Sequence, residues 1–346
     1  MNSAAGTSHR TPVILDDVSL VCTMYNEAAT VEEFFRAIAG MTCWPSEIIV
    51  VDGGSTDGTP EKIQAAFRTE LSSASCKLIV DDTCNIRHTP GPIAKGRNIG
   101  IRAATGSIIA VTDAGCLVDK HWLEALVRRF RQDPSLQMVG GWYEPVPRGY
   151  FETCQVFASF RPLDAVDPAT FLPSSRSVAF TKAVWQDVGG YPEIALAAED
   201  TIFDLAVRER TSAIGFAPDA VVYWRLRPNL STYANLIYRY GFGDGFCRIL
   251  VGGLLKNILK LVLGFGLLAS GVLIHWSFLV ALVGYWWLLP FLWRIREAFR
   301  WRHIHRYPMI SLIKILSDGS YVAGYLAGLL STSYPRFHRI VDARRP

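Results

Sequence analysis

The order of apolar and polar positions changes character along this chain. From residue 18, short β-branched runs alternate with segments of helical period, the pattern of an α/β domain with a largely parallel sheet. Residues 18–24, 47–52, 77–80 and 107–113 read as strands. The last of these is nearly continuous apolar sequence, as expected of a central strand buried on both faces. Thr30 with Glu33 three residues on has the spacing of a helix capping box. Thr59-Pro60 opens a second helix with proline in its favoured first position, and residues 93–104 read as a third. Residues 140–225 are less periodic and read as a second lobe of helices and short strands.

After residue 248 the alternation stops. Residues 258–275 and 277–293 are two apolar stretches separated only by Trp276. Each is at the short end of what crosses roughly 30 Å of hydrocarbon. Trp286, Trp287 and Trp293 suit an interfacial belt. Arg248, Lys256 and Lys260 precede the first stretch, and Arg294, Arg296, Arg300, Arg302 and Arg306 follow the second. The join carries neither Lys nor Arg, so the charge pattern predicts a transmembrane hairpin with both outer flanks cytosolic. Residues 309–330 are also apolar but carry Lys314 and Asp318. With Arg336, Arg339, Arg344 and Arg345 beyond them, they read as an amphipathic helix lying on the cytosolic surface.

The expected organisation is a disordered polar tail over 1–17 and an α/β domain over 18–247, divided near 118 into a nucleotide half and an acceptor half. A membrane hairpin over 248–293 and a basic cytosolic segment over 294–346 follow. The tail has no apolar core of a signal peptide, so the α/β domain is expected in the cytosol, at the cytoplasmic membrane. A net charge of +4 over 346 residues gives no case for nucleic acid as a partner. The seven cysteines are scattered, with no C-x-x-C pair or zinc spacing, and read as reduced apolar residues. No strand is followed by G-x-G-x-x-G and there is no Walker A motif, which sets aside a dehydrogenase and a P-loop phosphoryl transferase.

Polar clusters follow the carboxyl ends of the strands, where open α/β sheets bind ligands. They are Tyr25-Asn26-Glu27, the turn from Asp52 to Thr59, and Thr112-Asp113-Ala114-Gly115-Cys116. The helix segment Ala94-Lys95-Gly96-Arg97-Asn98 precedes the last, and Gly189-Gly190-Tyr191 and Glu199-Asp200 come later. Short acids at strand ends accept hydrogen bonds from a base and ribose, and Arg97 or Lys95 can neutralise diphosphate charge. Asp113 can help hold a divalent cation, Mn2+ or Mg2+. The Glu199-Asp200 pair can take a proton from an acceptor hydroxyl.

Together and in this order, these segments resemble the family-2 glycosyltransferases of the GT-A fold, over roughly residues 18–225. The resemblance implies Tyr25, Glu27, Asp52, Arg97 and Asp113 at the donor nucleotide. It implies Asp200, with Glu199 beside it, as catalytic base, and Gly190 and Tyr191 on the acceptor side. Two departures stand out. The family's Asp-x-Asp is here Asp113-Ala114-Gly115, and the Gln-x-x-Arg-Trp of processive members is replaced by a segment containing Arg239, a candidate acceptor-side residue. The implied reaction is non-processive, inverting transfer of one sugar from a UDP- or GDP-sugar. With a membrane hairpin beside the domain and membrane lipids as its surroundings, the expected acceptor is a lipid-linked glycan or polyprenyl carrier. A polyprenyl-phosphate sugar synthase is the nearest alternative, though a phosphate acceptor needs no base. An inactive sugar-nucleotide or glycan-binding module is the other.

Overall fold

The computed structural model describes residues 12–193, 197–293 and 305–331. The chain forms two compact units. The first comprises residues up to 144, 167–193 and 200–224; the second comprises 145–166, the described part of 194–199, and 225 onward.

The first unit is built on one eight-stranded sheet. Its strands are β1 (Val13–Met24), β2 (Cys43–Asp52), β3 (Ser75–Val80), β4 (Ile108–Val111), β5 (Cys116–Val118), β6 (Met138–Val146), β7 (Val178–Thr181) and β8 (Ile214–Arg225). They lie in the order β3-β2-β1-β4-β7-β6-β8-β5. The half made of β3, β2, β1 and β4 is parallel, as expected. The other half is not: β7 runs antiparallel to β4, β6 to β7, and β5 to β8. The region expected as a separate lobe thus supplies three strands to the same sheet.

Period-two alternation divides the core between the two faces. Leu20, Ile48 and Val50 face one hydrophobic cluster, with Phe34, Phe35 and Ile38 of α1 (Val31–Ala39) and Trp122 and Leu126 of α4 (Trp122–Gln132). Val21, Ile49 and Val51 face the other, with Ile101 of α3 (Pro92–Ala103) and Phe203 and Val207 of α7 (Glu199–Arg210). All four residues of β4 are buried, which bears out its place as a central strand. Each aliphatic side chain so buried contributes about 1.5–3 kcal/mol.

Two local expectations are corrected. Strand β1 starts at Val13, inside the stretch expected to be a disordered tail; residues 1–11 of that tail lie outside the described residues. A register shift between Leu15 and Ser19 interrupts the alternation, which is why the pattern seemed to begin at 18. Thr30 does precede α1, but its side chain makes no cap bond; its hydroxyl donates to the Glu27 carbonyl and carboxylate instead. The helix α2 (Thr59–Thr69) begins with proline as expected, and α6 (Lys182–Asp187) follows β7.

The second unit is helical: α5 (Tyr150–Ser159), α8 (Leu230–Phe246), α9 (Val251–Leu273), α10 (Ser277–Trp293) and α11 (Tyr307–Leu329). The boundary expected at 247 therefore falls inside it, because α8 packs along α11. That packing is reciprocal. A Cβ on Gly241 or Gly245 of α8 would collide with the Tyr321 or Tyr325 carbonyl, and one on Gly324 or Gly328 of α11 with the Tyr238 or Phe242 carbonyl. Small residues four apart on both helices bring backbone against backbone.

Helix α11 also packs on α5, α9 and α10, and buries Tyr307, Ile310, Ile313 and Tyr325. Asp318 does not pair with Lys314; both its oxygens accept from Lys260 of α9 at 3.0 Å, and Lys260 also donates to Asn257. A buried charge finds a partner across the helices, where an exposed i,i+4 pair would add little. The helix α9, 23 residues long with mean hydropathy 1.6, is long and apolar enough to cross a membrane. Leu255, Leu259, Val262, Phe265 and Val272 on it are exposed. The arginine flank at 294–302, the arginines of the tail and the side chains of Trp286, Trp287 and Trp293 lie outside the described residues.

Candidate active site

Parallel pairing of β1 with β2 and β4 brings three loops to one sheet edge. Met24 is in register with Asp52, and Val21 with both Ile49 and Val111. The loop after β1 is stitched to the turn after β2. Asn26 N–H donates to Ser55 Oγ (2.8 Å), Thr56 N–H to Asn26 Oδ1 (2.9 Å), and Glu27 N–H to Thr59 Oγ1 (2.9 Å). Asn26 sits at φ 54, a left-handed conformation that asparagine tolerates best among non-glycine residues. Asp57 accepts from the Thr59 hydroxyl and from Ala28 N–H, which holds its carboxyl below the usual range.

Of the expected donor residues, Asp52 is fully buried. Its Oδ1 accepts from the backbone N–H of Gly54 and Ser55, and its Oδ2 from the Ser55 hydroxyl at 2.6 Å. The carboxylate thus shapes its own turn. Tyr25 is exposed at the rim, and the Glu27 carboxylate holds the Thr30 hydroxyl. The end of β3 belongs here too: Asp81 N–H donates to the Asp52 carbonyl, and Asp82 lies against Gly54. Sequence reading passed over Asp81 and Asp82, although the rule that marked the other strand ends applies to them.

Arg97 and Asp113 come together. Arg97 is 2% exposed and its Nη2 donates to Asp113 Oδ1 at 2.7 Å. Beside it Asn98, also unassigned from sequence, uses its whole side-chain amide. It donates to the Tyr191 carbonyl (2.8 Å) and Glu193 Oε1 (2.9 Å), and accepts from Tyr191 N–H (2.9 Å) and Trp185 Nε1 (3.0 Å). Those bonds fix the Gly189-Gly190-Tyr191 turn. Gly190 has φ +80, and a Cβ there would stand 2.8 Å from Asn98 Oδ1, so only glycine fits. The side chain of Tyr191, the other residue expected on the acceptor side, is buried: Arg97 lies 5.2 Å from its ring, Phe203 stacks on it, and burial pushes its phenol well up.

Helix α7 begins at Glu199 after Ala198 at φ +66. Glu199 is buried and Asp200 half-buried. Asp200 accepts from Thr201 N–H (2.8 Å) and, at 3.5 Å, from Ser174 Oγ. One turn further on, Asp204 is 2% exposed, and its Oδ2 has no hydrogen-bond partner among the described residues. Burial, reinforced by Asp200, pushes its carboxyl well above the usual range. Its spacing of four from Asp200 was the available signal. Arg176, on the loop before β7, was also missed. Arg239 lies on α8, in the other unit, with an exposed side chain.

The donor set for a cation is thin. Asp113 gives one carboxylate, already bonded to Arg97 through Oδ1; Ala114 and Gly115 give none. Among the described residues no group of three His, Cys, Asp or Glu side chains is placed to hold a metal ion. A two-carboxylate cation clamp does not fit these residues. The seven cysteines are free, and burial pushes the thiols of Cys76 and Cys84 up to about 11, as inert apolar groups.

A half-parallel sheet with acids at the ends of β1, β2 and β4 and a carboxylate at the start of α7 fits the GT-A fold. Residues 19–153 match the family described as Glycosyl transferase family 2, and the chain is a glycosyltransferase carrying that family's domain. It is 27% identical to Glycosyltransferase AglE of Haloferax volcanii over 219 residues, which cover 61% of this chain and 67% of that protein. It is 28% identical to Glycosyltransferase GlyG of Streptococcus pneumoniae over 128 residues, 36% of this chain and 39% of that one. The fold is similar to that of a mannosyltransferase, PcManGT from Pyrobaculum calidifontis, solved in complex with GDP-Man and Mn2+. The TM-score is 0.64 with 19% identity, covering 92% of this chain and 88% of the other.

Proposed function

We propose that the protein moves one sugar from a UDP- or GDP-sugar to a hydroxyl of a lipid-linked glycan, with inversion, at the cytoplasmic face of a membrane. The observation that carries this reading is the Asp200 carboxylate, half-buried and held at the first turn of α7 in the unit whose strand ends gather Asp52, Asp81 and Asp113. In this reading the acceptor oxygen attacks the anomeric carbon and its proton passes to Asp200. The bond from that carbon to the diphosphate oxygen breaks, and its electron pair stays on the diphosphate. One base and no second nucleophile give a single displacement, hence inversion.

The donor side is tested by binding. Asp113→Ala removes the partner of Arg97, and Asp52→Ala removes the acceptor that organises the turn after β2. Each is expected to weaken UDP or GDP binding at least ~10-fold by calorimetry, the scale of a lost charge-assisted hydrogen bond. If both variants bind like the parent, the donor site lies elsewhere.

The membrane reading is supported by α9, with its exposed Leu, Val and Phe side chains, and by the exposed Trp276 between α9 and α10. With both flanks cytosolic, a cysteine replacing Trp276 is expected to react with an impermeant thiol reagent added outside intact cells. Labelling only after lysis would place that turn on the inner side and remove the hairpin.

A further inference from the structure

Gly115 stands where the loop after β4 lacks its second carboxylate, and a Cβ built on it meets no atom within 4 Å. A bulky anion can therefore approach the backbone there. The next residue, Cys116, is in register with Trp224 of β8. The Arg176 guanidinium lies over that tryptophan, 4.4 Å from the ring centroid, and 5.4 Å from the ring of Tyr143.

Two further bonds tie Arg176 to the reacting groups. Thr112, the residue before Asp113, donates its hydroxyl to the Arg176 carbonyl at 2.8 Å. Arg176 Nη1 donates to Ser174 Oγ at 2.9 Å, and Ser174 in turn reaches Asp200. Arg97, the other guanidinium of the site, is almost completely buried on Asp113 and Tyr191. Arg176 is half-buried, with its plane held by aromatic faces. Such a fork matches phosphate geometry, and orienting it in advance lowers the cost of using it as charge develops.

We infer that Arg176 binds the leaving diphosphate in the place where a second loop carboxylate would hold a divalent cation. The inference rests on the glycosyl-transfer reading. As the anomeric carbon–oxygen bond breaks and its electron pair moves to the distal phosphate, Arg176 donates hydrogen bonds to that phosphate. Its own protonation does not change, and the acceptor proton goes to Asp200.

The test is calorimetry of the full chain in mild detergent with UDP, GDP, UMP and GMP, with and without EDTA. The wild type is expected to bind at least one diphosphate with an affinity changed less than twofold by EDTA. Arg176→Gln is expected to lose ~10–100-fold for that diphosphate, the worth of a bidentate charge-assisted contact, and less than threefold for its monophosphate. Arg176→Lys should fall between. Gly115→Asp, which has room for its side chain, is expected to make diphosphate binding respond to Mn2+. Loss of wild-type diphosphate binding in EDTA with recovery on Mn2+ overturns the inference. So does an Arg176→Gln variant that keeps its circular-dichroism melt and binds diphosphate normally, or loses mono- and diphosphate equally. A wild type that binds none of the four nucleotides overturns the glycosyl-transfer reading itself, and this inference with it.

Discussion

Asp200→Asn is expected to lower turnover by at least ~10²-fold while donor affinity stays within about twofold of the wild type. The size is that of a positioned general base. Asparagine keeps the volume of the side chain, and its carbonyl oxygen can still accept from Thr201 N–H in the place of Oδ1, with its amide group facing Ser174 Oγ in the place of Oδ2, but it cannot take a proton. A loss confined to kcat marks an interaction made only as the reaction proceeds. Turnover near that of the wild type would remove Asp200 from the role. A matching loss of donor binding would make it a donor-site residue instead.

Gly324→Leu and Gly245→Leu are each expected to cost about 3 kcal/mol or more, with loss of the cooperative melt of the helical unit in detergent. The reason is that the new side chain meets main chain, not a side chain that can turn away. At Gly324 the obstacle is the Tyr238 carbonyl, and at Gly245 the Tyr325 carbonyl. Overpacking of this kind typically costs 1–3 kcal/mol even against movable neighbours. Separating α8 from α11 would also disturb the Tyr321 hydroxyl on Asp244, 2.7 Å long, and the Tyr325 hydroxyl on the Ile249 carbonyl. Gly252→Ala on α9 is the control: nothing lies within 4 Å of its Cβ position. That change should leave stability unaltered or raise it by up to ~1 kcal/mol through helix propensity. A wild-type melt for Gly324→Leu would mean that the two helices do not pack as described.

Most of the proposed donor edge was legible because it is made of local signals. Asp52 closes a turn through Gly54 and Ser55, two and three residues away, and Thr59-Pro60 starts its helix from within. The surroundings of Tyr191 were not legible, for the opposite reason. Its neighbours in sequence are a glycine turn, which suggests an exposed loop. Its neighbours in space are Arg97, Asn98, Ser175 and Phe203, and these bury it. Arg176 and Asp204 went unnoticed because little in the sequence marks them: one is defined by two aromatic rings on other strands, the other only by its spacing of four from Asp200 and by a buried Oδ2 with no hydrogen-bond partner among the described residues.

By itself the sequence determined the parallel half of the sheet, the family resemblance, the acids at three strand ends and the apolar character of the stretch that forms α9. Each follows from periodicity or from turn chemistry within a few residues, which the chain carries in its own order. The tertiary structure alone decided that β6, β7 and β8 complete the sheet in antiparallel fashion, and that α11 docks on α8. It also paired Asp318 with Lys260, Arg97 with Asp113, and Arg176 with Trp224. A hydrophobic pattern specifies which face of an element must leave water, but not what covers it. The partner of a buried charge or a bare glycine is fixed only when strand register and helix packing bring together residues far apart in the chain.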